Sequence, residues 1–265
     1  MTDPAPGIVR EARVAGEVPR WEVPGWREEF GVVAGVTGRG DLPEGDFDLG
    51  LWTSQPVGEV LGRWRQFLRA EPGFSGAVLG HQVHGREVAG HRGPASGWSQ
   101  LGGVDGHTTA TPGLLMLVTV ADCVPVYLVD PPNRAVGLLH AGWRGVAAGM
   151  LEAGIEAMVS AHGSAVENLV MHCGVAISGP CYEVGHEVME GLGLASSSGG
   201  RQHLDLRSEL VRRAAALGVG RVTVSDHCTA VEHQDFFSHR RSGGTDGRQV
   251  AYLGLPASGS VAPPI

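Results

Sequence analysis

The stretch that decides the fold is Leu114-Leu115-Met116-Leu117-Val118-Thr119-Val120-Ala121-Asp122-Cys123-Val124-Pro125-Val126. Its first seven residues are almost continuously apolar, which predicts a strand buried on both faces. That strand ends just before Cys123, and a second short strand is predicted over residues 126–129. A third strand is predicted over residues 135–139 and ends at His140. Two reactive side chains therefore stand at the ends of neighbouring buried strands.

Apolar residues also recur with helical or strand periodicity on both sides of this stretch. Helices alternate with strands, which predicts an α/β (α+β) fold: a single layered domain with mixed β-sheets flanked by helices. This domain is expected over residues 30–255, after a poorly patterned lead-in (1–29) and before a loose tail (256–265). The other predicted elements are strands over 31–37, 77–79, 169–171 and 221–224, helices over 57–68, 145–158 and 206–217, and a loop over 90–103.

The composition limits the class of protein. The chain has 265 residues, a formal net charge of −8 and 42% hydrophobic residues, which is enough for one large core. An acidic chain lacks the basic face that a nucleic-acid-binding protein needs, although local arginines can still bind small anions. The N-terminal residues have no signal-peptide-like apolar core, and no apolar run is long enough to span a membrane. We therefore expect a cytoplasmic protein without nucleic-acid or membrane partners.

Three dispersed side chains indicate a metal site: His84, Cys123 and His140. Two imidazoles and one thiolate form the ligand set of a catalytic zinc ion that keeps its fourth position open. The intervals between them are too long for a zinc finger, so only the completed fold can bring them together. Two alternatives stay open. The three side chains could simply be packed or solvated, and Cys123 could act as a nucleophile instead of a ligand.

Several motifs resemble one known family, the bacterial YfiH/YlmD proteins, which also includes human FAMIN. Its members are called laccase-domain or polyphenol oxidase proteins and, more recently, multifunctional purine nucleoside phosphorylases. The resemblance covers roughly residues 30–255 and implies a YfiH-like catalytic domain. The matching motifs are Val104-Asp105-Gly106, Ala121-Asp122-Cys123-Val124-Pro125, His140-Ala141-Gly142-Trp143-Arg144-Gly145, Cys181-Tyr182-Glu183-Val184-Gly185, Phe237-Ser238-His239-Arg240-Arg241 and Gly247-Arg248.

The resemblance implies a zinc-dependent purine nucleoside phosphorylase with adenosine deaminase side activity. Its partners would be phosphate and purine nucleosides such as adenosine, inosine and methylthioadenosine, and the protein would be a monomer or a weak homodimer. Copper is the less favoured metal. Blue-copper sites also use two His and one Cys, but the histidines here do not form the His-x-His pairs of a multicopper polyphenol oxidase. Further alternatives are a hydrolase that edits cell-wall precursors and a non-catalytic, zinc-stabilised binding module.

Two residues next to the proposed ligands are further candidates for catalysis. Arg144 presents a forked cation at a predicted helix start, where backbone N–H groups also favour an anion such as phosphate. Its structural alternative is a salt bridge with Asp122. Asp122 lies beside Cys123 and could instead orient a ligand histidine through its ring N–H.

Three residues are candidates for binding substrate or phosphate: Asp105, Arg39 and Arg241. Their structural alternatives are a turn residue, a solvated arginine, and a basic surface end beside an aromatic pair. Tyr182 either lies near the site or fills the core. The family commonly has Asn-Leu-Gly where this chain has Asp48-Leu49-Gly50, so the details of the substrate pocket stay open.

Overall fold

The computed structural model describes residues 6–40, 46–93, 96–195 and 200–259. Its helices are α1 (Trp26–Phe30), α2 (Val57–Arg69), α3 (Trp143–Ala148), α4 (Met150–His162), α5 (His186–Gly191), α6 (Leu206–Leu217) and α7 (His239–Ser242). Its strands are β1 (Gly7–Val9), β2 (Ala12–Arg13), β3 (Arg20–Glu22), β4 (Val33–Thr37), β5 (Gly76–His81), β6 (Val88–His91), β7 (Gly97–Gly102), β8 (Gly106–Thr109), β9 (Leu114–Val120), β10 (Val124–Asp130), β11 (Ala135–Ala141), β12 (Val170–Cys173), β13 (Glu183–Val184), β14 (Gln202–His203), β15 (Arg221–Ser225) and β16 (Gln249–Gly254). None of these described helices is long and apolar enough to cross a membrane.

The strands form two seven-stranded sheets and one small pair. The first sheet has the order β1-β15-β12-β10-β11-β8-β6, the second has the order β2-β3-β4-β16-β9-β5-β7, and β13 pairs with β14. Both large sheets combine parallel and antiparallel neighbours. In the first sheet β12 runs antiparallel to β10 and parallel to β15, and in the second β9 runs antiparallel to β16 and parallel to β5. The predicted α/β fold with mixed sheets and flanking helices is confirmed.

Buried side chains fill three layers between these elements. One core lies between the first sheet and helices α3 to α6, a second lies mainly between the two sheets, and a third lies between the second sheet and α2. Tyr127 of β10 crosses the middle layer and donates a hydrogen bond to the backbone oxygen of Gly35 in β4 at 2.8 Å. A buried phenol needs a hydrogen-bond partner, and here the partner belongs to the other sheet. The bond therefore links the two sheets.

The elements predicted from long apolar patterns are confirmed. The strand β9 spans Leu114–Val120, and α6 spans Leu206–Leu217, both as predicted. The helix α2 extends one residue beyond the predicted range. The strand β10 begins earlier than predicted, at Val124, because Pro125 near the start of a strand is tolerated.

Two predicted elements are wrong. The predicted loop over residues 90–103 contains the end of β6 and all of β7, apart from residues 94–95, which lie outside the described part of the chain. The strand β7 forms by parallel pairing with β5, a neighbour that its own Gly- and Ser-containing sequence does not reveal. The single helix predicted over residues 145–158 is two helices, because Gly149 has a left-handed backbone (φ 89°) that ends α3 and begins α4.

The N-terminal segment is part of the folded body. Residues 6–29, predicted to be a lead-in, contribute β1 to the first sheet and β2 and β3 to the second, and they bury Trp21 and Trp26. These strands have only two or three residues, which is too short for a period to show in sequence. Residues 1–5 and residues 260–265 of the predicted tail lie outside the described residues.

Candidate metal centre and substrate cavity

The chain crosses between the two large sheets at places that carry proposed metal ligands. His84 lies between β5 of the second sheet and β6 of the first, and Cys123 lies between β9 of the second sheet and β10 of the first. His140 lies on β11, beside β10. The ligand atoms of these three residues all lie within 4.8 Å of one another. Because both crossings meet beside β11, the fold brings the dispersed trio together.

Asp105 positions two of the three proposed ligands, His84 and His140, from the side away from the cavity. Its buried carboxylate accepts hydrogen bonds from the backbone N–H groups of Val83, His84 and Gly85 at 2.9–3.0 Å. These bonds hold His84 in a left-handed backbone conformation (φ 58°) that non-glycine residues rarely adopt. The carboxylate also accepts from His140 Nδ1 at 2.9 Å. Since Nδ1 is used in this way, Nε2 of His140 is the nitrogen left for a metal.

The protonation states of the trio are strongly coupled. Burial alone would raise the pKa of Asp105, but the hydrogen bonds from His140, Gly85 and Val83 outweigh it, and its pKa falls to about 2. Burial would likewise raise the pKa of the Cys123 thiol, yet the charge and hydrogen bond of His140 and the hydrogen bond of His84 lower it to about 6. Conversely, burial lowers and the Cys123 charge raises the pKa of His140, with a net value of about 9. The site therefore favours a thiolate, the form of cysteine that binds metal.

Gly142 leaves the space that these ligands occupy. A Cβ atom at this position would stand 2.9 Å from Cys123 Sγ and 3.1 Å from His84 Cδ2. Any side chain here would push against both ligands. The His-Ala-Gly-Trp-Arg-Gly motif therefore combines a proposed ligand, His140, with the glycine that lets Cys123 and His84 approach it.

The trio lines a cavity of about 640 Å³, a size typical of small-molecule sites. A groove of about 520 Å³ shares Trp143, Arg144, Tyr182 and Arg240 with this cavity. Polar, aromatic and cationic side chains thus surround the proposed metal site. Besides the trio, the side chains that line the cavity include Trp52, His81, Gln82, Thr119, Asp122, Trp143, Arg144, Tyr182, His239, Arg240 and Arg248.

Arg144 and Arg240 bring positive charge to the cavity on aromatic supports. The exposed Arg144 guanidinium lies 4.3 Å from the ring centre of Trp143, and no hydrogen bond or ion pair to another described residue holds it. Arg240 lies 4.9 Å from the ring centre of Tyr182 and donates to the backbone oxygen of Glu183. Burial and the nearby Cys123 charge raise the pKa of Tyr182 to about 12, so its phenol stays neutral and can donate a hydrogen bond.

The predicted role of Asp122 as the orienting group of a ligand histidine is wrong. Its carboxylate accepts hydrogen bonds from Thr229 Oγ1 and from the backbone N–H of Arg240, both at 2.6 Å. These bonds join the Cys123 crossing to the start of α7. The alternative salt bridge with Arg144 is not among the ion pairs of the described residues. Asp105, predicted as a substrate-binding residue, instead does the orienting and lies fully buried behind the ligands.

Two predicted phosphate-binding arginines lie outside the cavity lining. The Arg39 guanidinium pairs with Asp46 and, at 2.7 Å, with Asp246, and it also lies over Phe237. Its charge is thus neutralised by the protein. Arg241 contacts the Ala230 oxygen and His233 at 3.4 Å. Its neighbour Arg240 reaches the cavity, because α7 turns successive side chains in different directions.

Sequence reasoning did not single out Trp52 and His81 as site residues. Trp52 directly follows the Asp48-Leu49-Gly50-Leu51 segment, and His81 stands shortly before His84. A tryptophan beside a family motif is the one signal that the sequence offers. Arg248 was noted only as part of a matching motif, and it also lines the cavity.

The fold and the site together define an α/β protein with a His-Cys-His group at the crossings between two mixed sheets. Comparison with known proteins gives its family. Residues 36–256 match the family model described as multi-copper polyphenol oxidoreductase laccase. The chain belongs to this family, which is also that of the YfiH and YlmD proteins.

Relatives and a solved structure extend this similarity over most of the chain. Purine nucleoside phosphorylase ORF3 of Streptomyces griseus is 39% identical over 222 residues, covering 80% of this chain and 88% of the relative. Adenosine deaminase RL5, from an unknown prokaryotic organism, is 36% identical over 160 residues, covering 56% and 61%. The crystal structure of YlmD from Geobacillus stearothermophilus superposes with a TM-score of 0.81 at 28% identity, covering 94% of this chain and all of that chain. The names of both relatives describe enzymes.

Proposed function

We propose that the cavity is the active site of a zinc-dependent purine nucleoside phosphorylase that cleaves adenosine and inosine with phosphate. Adenosine deamination is a side activity of the same site. The observation that carries this proposal is the presence, in one cavity, of the His-Cys-His trio and the arginines Arg144 and Arg240. The names of the relatives support the same reaction classes.

The donor set of the trio fits zinc. Two imidazole nitrogens and one thiolate form a ligand set that catalytic zinc ions use when their fourth position stays open. Asp105 assigns the proton of His140 to Nδ1, because an ionised carboxylate only accepts hydrogen bonds. A zinc ion held there would supply a Lewis acid that polarises a substrate oxygen.

Arg144 and Arg240 would hold the phosphate. Arg144 has no protein counter-ion within the described part of the chain, and its planar fork suits the oxygens of phosphate. In phosphorolysis, a phosphate oxygen bonds to C1′ of the ribose, the C1′–N9 bond breaks, and the departing purine takes up a proton. The sugar passes through a state of oxocarbenium character, as in glycoside hydrolysis. A phosphate placed by two arginines next to C1′ stabilises that positive charge and excludes competing water.

One observation favours a second candidate function, the oxidation of phenols on copper. The family model is described as a multi-copper oxidoreductase, and two His with one Cys is also a copper ligand set. Within residues 6–40, 46–93, 96–195 and 200–259, however, His84, Cys123 and His140 are the one group of three or more potential ligands. A multicopper oxidase needs several such groups, so we prefer the zinc phosphorylase.

Metal analysis coupled to a product assay tests the proposal. We expect about one zinc ion per chain, and release of adenine and ribose 1-phosphate from adenosine only when phosphate is present. Cys123→Ser should lose both, whereas His203→Ala, an exposed histidine outside the cavity lining, should keep both. Stoichiometric copper in protein made in balanced medium would contradict the zinc assignment. Equal adenine release without phosphate would show a hydrolase instead.

A further inference from the structure

Trp52 is an exposed tryptophan that lines the cavity. Trp52 is 59% exposed, whereas Trp21, Trp26 and Trp64 are at most 5% exposed. One face of the indole rests on the His81 imidazole, with ring centres 4.6 Å apart and planes inclined by 20°. Since one face is covered and the side chain is still largely exposed, the other face is open to a ligand.

The backbone that carries Trp52 is held in place. The buried Asp48 carboxylate accepts hydrogen bonds from the Gly50 N–H at 2.7 Å, from the Thr53 hydroxyl at 2.9 Å and from the Arg248 N–H at 2.8 Å. These bonds close the turn around Trp52 and attach it to the chain just before β16. A pre-positioned aromatic ring loses little freedom when a ligand stacks on it.

The other large aromatic rings of the cavity are covered. Trp143 carries the Arg144 guanidinium on one face and packs against the helix-side core, and Tyr182 does the same with Arg240. Their rings support cations. A flat, neutral heterocycle therefore finds its stacking surface at Trp52.

Two polar side chains that line the same cavity as Trp52 are already paired with each other. Gln82 Nε2 donates to the Thr119 backbone oxygen, and Gln82 Oε1 accepts from the Thr119 N–H and hydroxyl, all at 2.8 Å. This part of the cavity thus offers an aromatic surface with little unmet hydrogen bonding. Bases stack on such surfaces whatever their edge pattern, which suits an enzyme that accepts more than one purine.

We propose that Trp52, backed by His81, is the stacking surface for the purine base, a role that rests on the proposed nucleoside phosphorylase function. The base lies on the wall formed by the second sheet and its turn. The phosphate lies on the wall formed by α3 and α7, and the ribose lies between them, beside the trio. Trp52 is a specificity-determining residue in this arrangement and takes no part in bond breaking.

Binding of free adenine tests the proposal without requiring turnover. By titration calorimetry of the zinc-loaded protein, Trp52→Ala should bind adenine on the order of tenfold to a hundredfold more weakly, the range expected when a base loses one aromatic partner. Trp52→Phe should recover most of the affinity. Ile8→Ala, which removes another exposed apolar side chain, 67% exposed and on β1 outside the cavity lining, is the matched control and should bind like the wild type.

Steady-state kinetics separates stacking from a structural role. Trp52→Ala should raise KM for adenosine by a similar factor while kcat and KM for phosphate stay nearly unchanged. A parallel rise in KM for phosphate, equal losses in Trp52→Ala and Trp52→Phe, unchanged adenine affinity in Trp52→Ala, or no adenine binding by the wild type would each overturn the proposal. Trp52-dependent adenine binding without any phosphorolysis would leave the stacking surface standing and refute the proposed function.

Discussion

His140 and His172 are both buried histidines of the first sheet, and they differ in the partner of one ring nitrogen. They lie on β11 and β12, the two neighbours of β10, and each hydrogen-bonds a buried carboxylate: Asp105 for His140, and Glu11 for His172. The second ring nitrogen of His172 hydrogen-bonds the Thr223 hydroxyl at 2.9 Å. The second nitrogen of His140 instead faces the Cys123 thiol in the cavity wall.

This difference distinguishes a structural histidine from one that we propose binds a metal. Burial and a carboxylate partner are common to both, so neither property marks the site. The distinguishing property is the partner of the second ring nitrogen, which is a hydroxyl in the core for His172 and a thiol in the cavity wall for His140. A comparable difference separates Arg39, which is paired with carboxylates, from Arg144, whose guanidinium no described residue pairs.

Replacing the two histidines should give opposite results, and this is the largest expected effect. His140→Ala should remove bound zinc and abolish turnover while the protein stays folded. His172→Ala leaves one oxygen of the buried Glu11 carboxylate without its histidine partner, while Ser225 still donates to the other. This loss should cost about 3–5 kcal/mol of unfolding free energy. Zinc content, turnover and denaturant unfolding measured together check this pair. Loss of zinc in a folded His172→Ala protein would contradict the distinction.

The two arginines repeat the comparison with a smaller effect. Arg144→Ala should raise KM for phosphate or cut turnover on the order of tenfold to a thousandfold, with zinc content and melting temperature nearly unchanged. Arg144→Lys should recover only part, because an ammonium lacks the planar fork. Arg39→Ala should instead cost about 1–3 kcal/mol of stability with normal KM for phosphate. Normal phosphate dependence in folded, zinc-loaded Arg144→Ala protein refutes its assignment.

Two glycines sharpen the contrast between site and surface. Gly142→Ala places a methyl group against Cys123 and His84 and should weaken zinc binding on the order of tenfold to a hundredfold, as expected when the support of a ligand is disturbed. Gly62 lies exposed within α2, and a Cβ atom there meets nothing within 4 Å. Gly62→Ala should therefore leave zinc affinity unchanged and stabilise the protein by about 0.5–1 kcal/mol. Competition with a chelator and thermal unfolding measure the two effects.

The smallest expected effect concerns the acid stability of the His172 partner. Burial would raise the pKa of Glu11, but the hydrogen bond and charge of His172 outweigh it, and the pKa lies below the ordinary value of 4.5. Below pH 4.5 the unfolded chain therefore binds this proton more readily than the folded chain, so the stability that Glu11 contributes is lost as pH falls. Glu11→Gln should be less stable at pH 7 and should lose less stability below pH 4.5. The free energy of unfolding of both proteins should be measured between pH 7 and pH 3. An equal loss of stability with falling pH in the wild type and in Glu11→Gln would contradict this prediction.

The elements that could be predicted from the sequence are those whose apolar pattern lies within a few consecutive residues. The apolar run that became β9 and the helical spacing that became α6 are properties of consecutive residues, and burial acts on them directly. Elements that form only by pairing with a distant segment of the chain could not be predicted in this way. The strand β7 depends on β5, and the N-terminal strands have too few residues to show a period.

The sequence alone determined the layered α/β class and the choice of His84, Cys123 and His140 as candidate ligands. Residue types and apolar runs are properties of consecutive residues, so they can be read without the fold. Only the tertiary structure decided which carboxylate orients the trio and which arginine lines the cavity beside it. Asp105 rather than Asp122 orients His140, and Arg240 rather than Arg241 reaches the cavity. A side chain's role depends on whether the fold supplies a partner for its charge or hydrogen bonds. Such partners come from residues far away in the chain, as Thr229 does for Asp122.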